Sequence, residues 1–223
     1  MNIIGGFLMT IRNSDQARDL GKDLGEVAID AVLSEKFGVD GVLKDIPILN
    51  VAVNLYKAGN QVAAYFFAKN MLDFLLEVDS VPLAKRVEFL DKNCADERGV
   101  ESVGEVTLMI LNKLDYPHLA KMLGRTFALL MRGDIGRDEF DVYCHVVRVM
   151  NPYVLRQIKK VYEAQGRIDI SLSVARLLES YGLIKLEVDE FAANVSFSQS
   201  FKMERNDFGK EFYGRIITGS SSY

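Results

Sequence analysis

The sequence predicts a mainly helical protein that ends in a small α+β domain. Through the first two thirds of the chain, apolar residues recur at helical spacing and are separated by short polar or glycine-containing breaks. In the last third, an amphipathic segment at residues 170–180 stops at Tyr181-Gly182. A strand pattern, a polar segment at residues 189–199 and a closing apolar segment at residues 201–217 follow. This order is typical of a winged helix.

We therefore expect two domains, residues 1–151 and 152–218, followed by a frayed tail at residues 219–223. The boundary is placed at Asn151-Pro152, because a proline disfavours the helical conformation of the residue before it. The first domain should be a bundle of about six to eight helices, counted from its periodic segments. The second domain should be winged-helix-like.

The start of the chain, residues 1–10, is apolar but has no basic stretch before it and no small-residue cleavage site. We interpret it as a buried or partner-covered arm rather than a signal peptide. A helical pattern follows from Asn13 to about Gly38. The longest apolar region, residues 46–76, is interrupted by Pro47, Lys57 and Gly59, whereas a spanning helix needs about twenty nearly uninterrupted apolar residues. We expect two buried helices there, to about Tyr56 and from about Asn60 to Val78, rather than a membrane-inserted segment.

The next helix should begin after Ser80-Val81-Pro82. Its periodicity assigns Leu83, Val87 and Leu90 to the core and places Lys85 and Arg86 in water. Further helical patterns run approximately over residues 103–114, 117–131 and 137–150.

Apolar residues make up 49% of the chain, which is enough for a sizeable core. Phe66, Phe67 and Phe74 are expected to fill that core. The same surplus can form an oligomer interface, and the sequence leaves both possibilities open.

The formal net charge of the 223-residue chain is −4. Residues 1–151 carry 17 Lys and Arg against 22 Asp and Glu, and the remainder carries 10 against 9. Neither part has the strong basic excess typical of proteins whose main partner is a phosphate backbone. The two cysteines, Cys94 and Cys144, resemble neither a disulfide framework nor a metal knuckle. A reducing cytoplasmic location fits them best.

Residues 133–140, Gly-Asp-Ile-Gly-Arg-Asp-Glu-Phe, superficially match the second half of a calcium-binding loop. The upstream ligand positions would be Ala128, Leu130 and Arg132, whose side chains offer no oxygen. We predict a tight helix-to-helix turn instead, with Asp138 and Glu139 at the positive start of the next helix.

The sequence contains no recognisable catalytic set. The only histidines are His118 and His145, and Cys144 beside His145 on a helix points about a hundred degrees away from it. A nucleophile-elbow motif, a glycine-rich phosphate loop and a zinc signature are all missing from the sequence. We expect a protein that is not an enzyme, with no catalytic residues, no metal site and no cofactor.

A winged helix that binds DNA uses the helix before its wing to reach base edges. That helix would supply one arginine, Arg176, while Lys185, Lys202 and Arg205 could touch phosphates. Acidic residues alternate with these basic ones, which favours protein contact or self-association over DNA.

Two partial resemblances bear on function. Residues 81–90 (VPLAKRVEFL), 103–105 (VGE) and 133–140 (GDIGRDEF) resemble TerB-like helical modules of bacterial stress and defence proteins. Residues 177–184 (LLESYGLI) and 208–212 (FGKEF) are similar to the closing segment of abortive-infection alpha-type proteins. Some TerB-like proteins hold metal through acidic residues, but no defined acidic quartet corresponds here, so no ligands are carried over.

The resemblance implies a bacterial or phage-borne cytoplasmic protein of antiphage defence or stress response. We expect a non-enzymatic sensor or adaptor that binds a phage or host protein and self-associates into an oligomer. Two alternatives remain open: a winged-helix DNA-binding regulator, and a membrane-perturbing effector that uses residues 46–76.

Overall fold

A computed structural model describes residues 3–15, 47–165, 168, 170–188 and 201–220 of the chain. The described part is mainly helical and contains one two-stranded sheet, so the predicted fold class is confirmed. The helices are α1 Ile3–Arg12, α2 Asn50–Lys57, α3 Gln61–Val78, α4 Leu83–Asn93, α5 Glu97–Gly99, α6 Val106–Asn112, α7 Pro117–Arg132, α8 Arg137–Val149, α9 Pro152–Glu163, α10 Leu172–Ser180 and α11 Asp207–Glu211. A 3₁₀ turn spans Pro47–Leu49, and π-helical turns span Val100–Glu105 and Phe212–Thr218.

The contacts between residues divide the chain into two compact units, Met1–Arg148 and Val149–Tyr223. The division lies close to the predicted boundary at Asn151. The helix predicted from Asn13 to Gly38 and the polar segment predicted at residues 189–199 lie largely outside the described residues.

Local sequence signals account for several helix ends. The side chains of Asn60 and Asn151 accept hydrogen bonds from the backbone N–H groups of Ala63 and Val154, at 3.3 and 2.9 Å. Each cap satisfies an amide that the first helical turn leaves without an intrahelical partner. At the other end of α7, Gly133 adopts a φ of 77° and closes the helix in the left-handed conformation that favours glycine.

An aromatic cluster forms the centre of the first unit. The ring of Phe127 on α7 lies 5.6 Å from that of Phe74 on α3, 5.8 Å from Phe89 on α4 and 6.0 Å from Phe140 on α8. Phe7 on α1 extends the cluster through a 5.8 Å contact with Phe74. Side chains from five helices thus share one core, and each buried ring contributes both area and ring-to-ring contact.

Helices α3 and α7 pack closely against each other at Gly124. A Cβ atom on Gly124 would lie 2.7 Å from the backbone oxygen of Phe74. Salt bridges between Arg125 and Glu77, at 3.1 Å, and between Lys121 and Asp73, at 3.6 Å, flank this contact. The glycine lets the two backbones approach to a distance that no side chain would allow.

The predicted orientation of α4 is wrong in one respect. Arg86, which the periodicity assigned to water, is 1% exposed, whereas Leu83 is 48% exposed. Phe89 and Leu90 are buried, so Arg86 lies on the core face at helical spacing from both. Simple amphipathicity failed here because it treats every arginine as a surface residue.

The buried Arg86 guanidinium is held by groups from α1 and the end of α3. Its Nη1 donates to the Ser14 hydroxyl and to the carbonyl of Ile11, and its Nη2 donates to Asp15 at 2.5 Å. Asp79, just past α3, lies 3.6 Å from the same Nη2, and its side chain is only 7% exposed. Arg86 therefore joins three segments through charge-assisted hydrogen bonds.

Two further expectations need adjustment. The N-terminal segment is buried as predicted, but in the form of the helix α1, in which Phe7 and Ile11 are completely buried. Phe74 lies in the core as predicted, but Phe66 is 43% exposed. The predicted helices over residues 46–56 and 60–78 correspond to α2 and α3, separated by a turn at Gly59, whose φ is 85°.

The second unit places a hairpin and a short helix after α10. Strands β1, Lys185–Val188, and β2, Phe201–Glu204, pair antiparallel with Lys185 opposite Glu204 and Glu187 opposite Lys202. The order of α10, hairpin and α11 is the one that the sequence predicted.

The interior of the second unit is built on tyrosines. The rings of Tyr162 and Tyr213 stack at 5.0 Å, and the Tyr162 hydroxyl donates to the Leu183 carbonyl. A Cβ atom on Gly209 would lie 1.9 Å from that hydroxyl and 2.0 Å from that carbonyl oxygen. Gly209 is therefore required by close approach, and this gives a physical reason for the glycine in the segment FGKEF.

Candidate functional site

The hairpin carries two of the four basic residues proposed for nucleic-acid contact. Lys185 and Lys202 each donate to a glutamate on their own strand, Glu187 at 3.0 Å and Glu204 at 2.5 Å. The strand register also places each lysine opposite a glutamate across the hairpin. The four side chains thus form a group of alternating charge on one face of the hairpin, because residues two apart on a strand point to the same side.

The pKa values of this group reflect the pairing. The hydrogen bond from Lys185 to Glu187 raises the pKa of Lys185, and the equivalent bond to Glu204 raises the pKa of Lys202. The same bond lowers the pKa of Glu204. All three groups stay charged at neutral pH, so the positive charges of the lysines are compensated locally.

The other two proposed residues lie in different environments. Arg205 donates from Nη2 to the Ala164 carbonyl at 2.5 Å, and its guanidinium lies 6.0 Å from the centre of the Tyr162 ring. Arg205 therefore fixes the loop after α9. Arg176 is exposed on α10. The structure brings Lys185 and Lys202 together, and gives Arg205 a packing role.

The predicted helix-to-helix turn at residues 133–140 is confirmed. Gly133 ends α7, and Asp138 and Glu139 occupy the first turn of α8. Within the described ranges, no group of three or more His, Cys, Asp or Glu residues is arranged to hold a metal ion.

The two cysteines are poorly suited to nucleophilic chemistry. Burial raises the pKa of the Cys94 thiol to about 11 and that of the Cys144 thiol to about 12. A nearby carboxylate, Asp141, adds to the second shift. Both sulfurs are protonated at neutral pH, whereas the thiolate is the reactive form. His145 is exposed, and His118 stacks on Tyr116 with the rings 5.7 Å apart.

The first unit contains a cleft of about 490 Å³ between α4, the turn from α7 to α8, and the π-helical turn at Val100–Glu105. We call it the basic cleft, defined by four cationic residues in its wall: Lys85, Lys92, Arg132 and Arg137. A single carboxylate, that of Glu88, also lines it. Phe89, Met131 and Ile135 supply apolar surface.

The arginines of the basic cleft are oriented by neighbouring oxygens. Arg132 donates from Nη2 to the hydroxyl and the carbonyl of Ser80, at 2.6 and 3.2 Å. Arg137 donates from Nε to both carboxylate oxygens of Asp141, at 3.1 Å, and from Nη2 to the Ser102 carbonyl, at 2.7 Å. Each guanidinium has five N–H donors, so both keep donors beyond these contacts.

The cleft is not apparent from the sequence. Lys85 of α4 was correctly predicted to be exposed, and residues 133–140 were correctly predicted to form a turn. Their juxtaposition depends on how α4 packs beside the end of α7, which no local pattern encodes. The sequence signal for the cleft was the glycine and arginine residues around the turn. We had considered that turn only as a possible calcium-binding loop.

The chain was compared with protein-family models, with curated proteins and with solved structures, and no match was found in any of the three. In the part of the chain that the structure describes, none of the helices combines the length and the apolar character needed to cross a bilayer.

Proposed function

We propose that this protein is a non-enzymatic sensor or adaptor that acts by binding a phage or host protein and by self-association. The observation that carries the proposal is an apolar stripe on α3, formed by Val62, Phe66 and Leu76. Their exposed fractions are 69%, 43% and 37%. All three lie on one side of the helix, where Val62 and Phe66 are direct neighbours and the charged residues Lys69 and Asp73 stand between Phe66 and Leu76. The setting in bacterial antiphage defence or stress response rests on the resemblances to TerB-like and abortive-infection proteins.

Exposed apolar side chains grouped on one helix face favour a contact surface, because monomeric proteins bury such groups where they can. Single exposed apolar residues are ordinary, but Val62 and Phe66 are direct neighbours on α3. A second pair, Val106 and Met109, is exposed on α6. Covering these residues would remove apolar area from water, which is the main favourable term in protein association.

The alternative of a DNA-binding regulator depends on the second unit. Arg176 is exposed on the helix before the hairpin, in the position that such a regulator would need. The paired charges of Lys185 and Lys202 weigh against it, since their glutamate partners would have to leave or face phosphates.

The deciding experiment is light scattering coupled to gel filtration of the purified chain, at low and high salt, with and without duplex DNA. We expect a defined oligomer that neither salt nor DNA changes. Phe66→Asp should shift it toward the monomer, because the substitution places a charge inside the apolar contact. Val142→Asp is the matched control, since Val142 is 48% exposed on α8 and outside the stripe.

A wild-type chain that is monomeric at all concentrations would contradict the self-association part of the proposal. A complex with duplex DNA that forms only at low salt and weakens in Arg176→Ala would favour the regulator instead.

A further inference from the structure

The basic cleft concentrates positive charge in a protein whose net charge is negative. Lys85 and Lys92 are seven residues apart on α4, so both project from the same side of that helix. Arg132 and Arg137 reach the cleft from the end of α7 and the start of α8. Four cations and one carboxylate thus share a volume of about 490 Å³.

Little of this charge is neutralised inside the molecule. Among the described residues, Arg137 is the one member of the four with a salt bridge, to Asp141. Arg132 is held by the neutral oxygens of Ser80, which orient its guanidinium without cancelling its charge. Lys85 and Lys92 are exposed. This contrasts with the hairpin lysines, which each lie against a glutamate.

The start of α8 forms part of the same wall, through Gly136 and Arg137. Gly136 precedes the helix and its carbonyl accepts from the N–H of Phe140 at 3.0 Å, so it occupies the capping position. Glycine has no side chain with which to satisfy the amides of the first turn. A Cβ atom on Gly136 would meet nothing within 4 Å, so the space next to it is open. The N-terminus of a helix favours anions, and the first turn of α8 already carries the carboxylates of Asp138 and Glu139.

The cleft also has the size and the floor of a small-molecule site. Its volume lies in the range of about 300–1,000 Å³ typical of ligand pockets. Phe89, Met131 and Ile135 line it, and each is mostly buried. A ligand with a charged end and a flat apolar part would match both surfaces.

From the four cations, the open helix start and the apolar floor, we propose that the basic cleft binds a phosphorylated small molecule of nucleotide size. The phosphate groups would lie among Lys85, Lys92 and Arg132, and the less polar part would face Phe89. This site is separate from the apolar stripe on α3, so it can be tested independently of the proposed adaptor function.

The test is isothermal titration calorimetry of the full chain with three probes: ATP, pyrophosphate and adenosine. We expect ATP to bind most tightly, pyrophosphate to bind more weakly, and adenosine to give no measurable heat. Raising the salt concentration should weaken binding of both phosphate probes, because screening reduces attraction between exposed charges.

The decisive variant is Lys85→Glu/Lys92→Glu, which should weaken ATP binding by about tenfold or more, a change of one decade in Kd. Lys159→Glu/Lys160→Glu is the matched control, since it changes the net charge equally at two exposed lysines of α9. Far-UV circular dichroism should show that both variants keep the wild-type helix content.

Three results would overturn the proposal: no binding of either ATP or pyrophosphate, equal binding of adenosine and ATP, or an equal loss in the control variant. Competition with duplex DNA on the same sample distinguishes a small-molecule site from a nucleic-acid surface. Displacement of ATP by far lower concentrations of DNA would also contradict the proposal. The oligomeric state measured in parallel shows whether the adaptor function stands or falls separately.

Discussion

The two units of this protein place their polar groups in opposite ways. The first unit buries a charged guanidinium, that of Arg86, between α1, α3 and α4, and leaves its lysines exposed around a cleft. The second unit pairs its two hairpin lysines with glutamates and buries the neutral hydroxyl of Tyr162. Similar residue types therefore contribute differently to the stability of the protein, because burial decides how strongly water competes with a contact.

This difference separates structural charges from charges that are available to a ligand. Arg86 is paired with Asp15 and Asp79 of its own unit, and the hairpin lysines with glutamates of theirs. Among the described residues, the exposed lysines of the basic cleft form no salt bridge, although Glu88 lies between them on α4. Four variants test this difference between the two units, and they are described from the largest expected effect to the smallest.

Arg86→Met should cause the largest loss of stability, about 3–5 kcal/mol, because it leaves the buried carboxylate of Asp79 without its cation. Urea denaturation followed by far-UV circular dichroism measures the change. The control is Lys85→Met, which changes the exposed residue directly before Arg86 on the same helix. It should shift the free energy of unfolding by less than about 0.5 kcal/mol. Equal effects of the two variants would refute the structural role of Arg86.

Gly209→Ala should destabilise the second unit by about 1–3 kcal/mol or more, because the new methyl group would overlap the Tyr162 hydroxyl and the backbone of Leu183. Thermal denaturation monitored by circular dichroism gives the shift. Lys210→Ala, one residue later and exposed, should be nearly neutral. A Gly209→Ala variant as stable as the wild type would show that the close approach relaxes without cost.

Tyr162→Phe should cost about 1–3 kcal/mol, because it removes the donor to the buried Leu183 carbonyl while keeping the stacked ring. The matched control is Tyr153→Phe on the same helix, where the tyrosine is 46% exposed. If both variants lose the same stability, the effect does not come from the buried hydrogen bond.

Lys202→Ala should leave the denaturation midpoint indistinguishable from that of the wild type. Its salt bridge with Glu204 is exposed, and exposed ion pairs contribute little because water and salt compete with them. The urea titration used for Arg86→Met checks this directly. A loss comparable to that of Arg86→Met would mean that the hairpin charges, too, are structural.

The helix pattern was predictable because it depends on local signals. Asn60, Asn151 and Gly133 define ends that the sequence placed correctly to within a few residues. The hairpin after Tyr181-Gly182 followed from alternation and turn residues in the same way. These features need only neighbouring residues to form, so their pattern is visible along the chain.

The orientation of side chains was less predictable. We predicted Arg86 to be exposed and Phe66 to be buried, and the structure shows the reverse. Helical periodicity ranks residues by polarity alone. The burial of Arg86 depends on its partners. Asp79 lies close to it in the sequence, but Ser14 lies 72 positions away. Long-range partners of this kind are not encoded in a local pattern.

The sequence by itself determined the mainly helical fold class, the helix ends and the strand pattern, because these follow from short-range backbone preferences and spacing. Only the tertiary structure decided which of the described cations form salt bridges. Strand register placed Lys185 and Lys202 beside glutamates, whereas the packing of α4 against α7 and α8 gathered Lys85, Lys92 and Arg132 around an open cleft. Charge compensation depends on distance in space, and folding sets that distance.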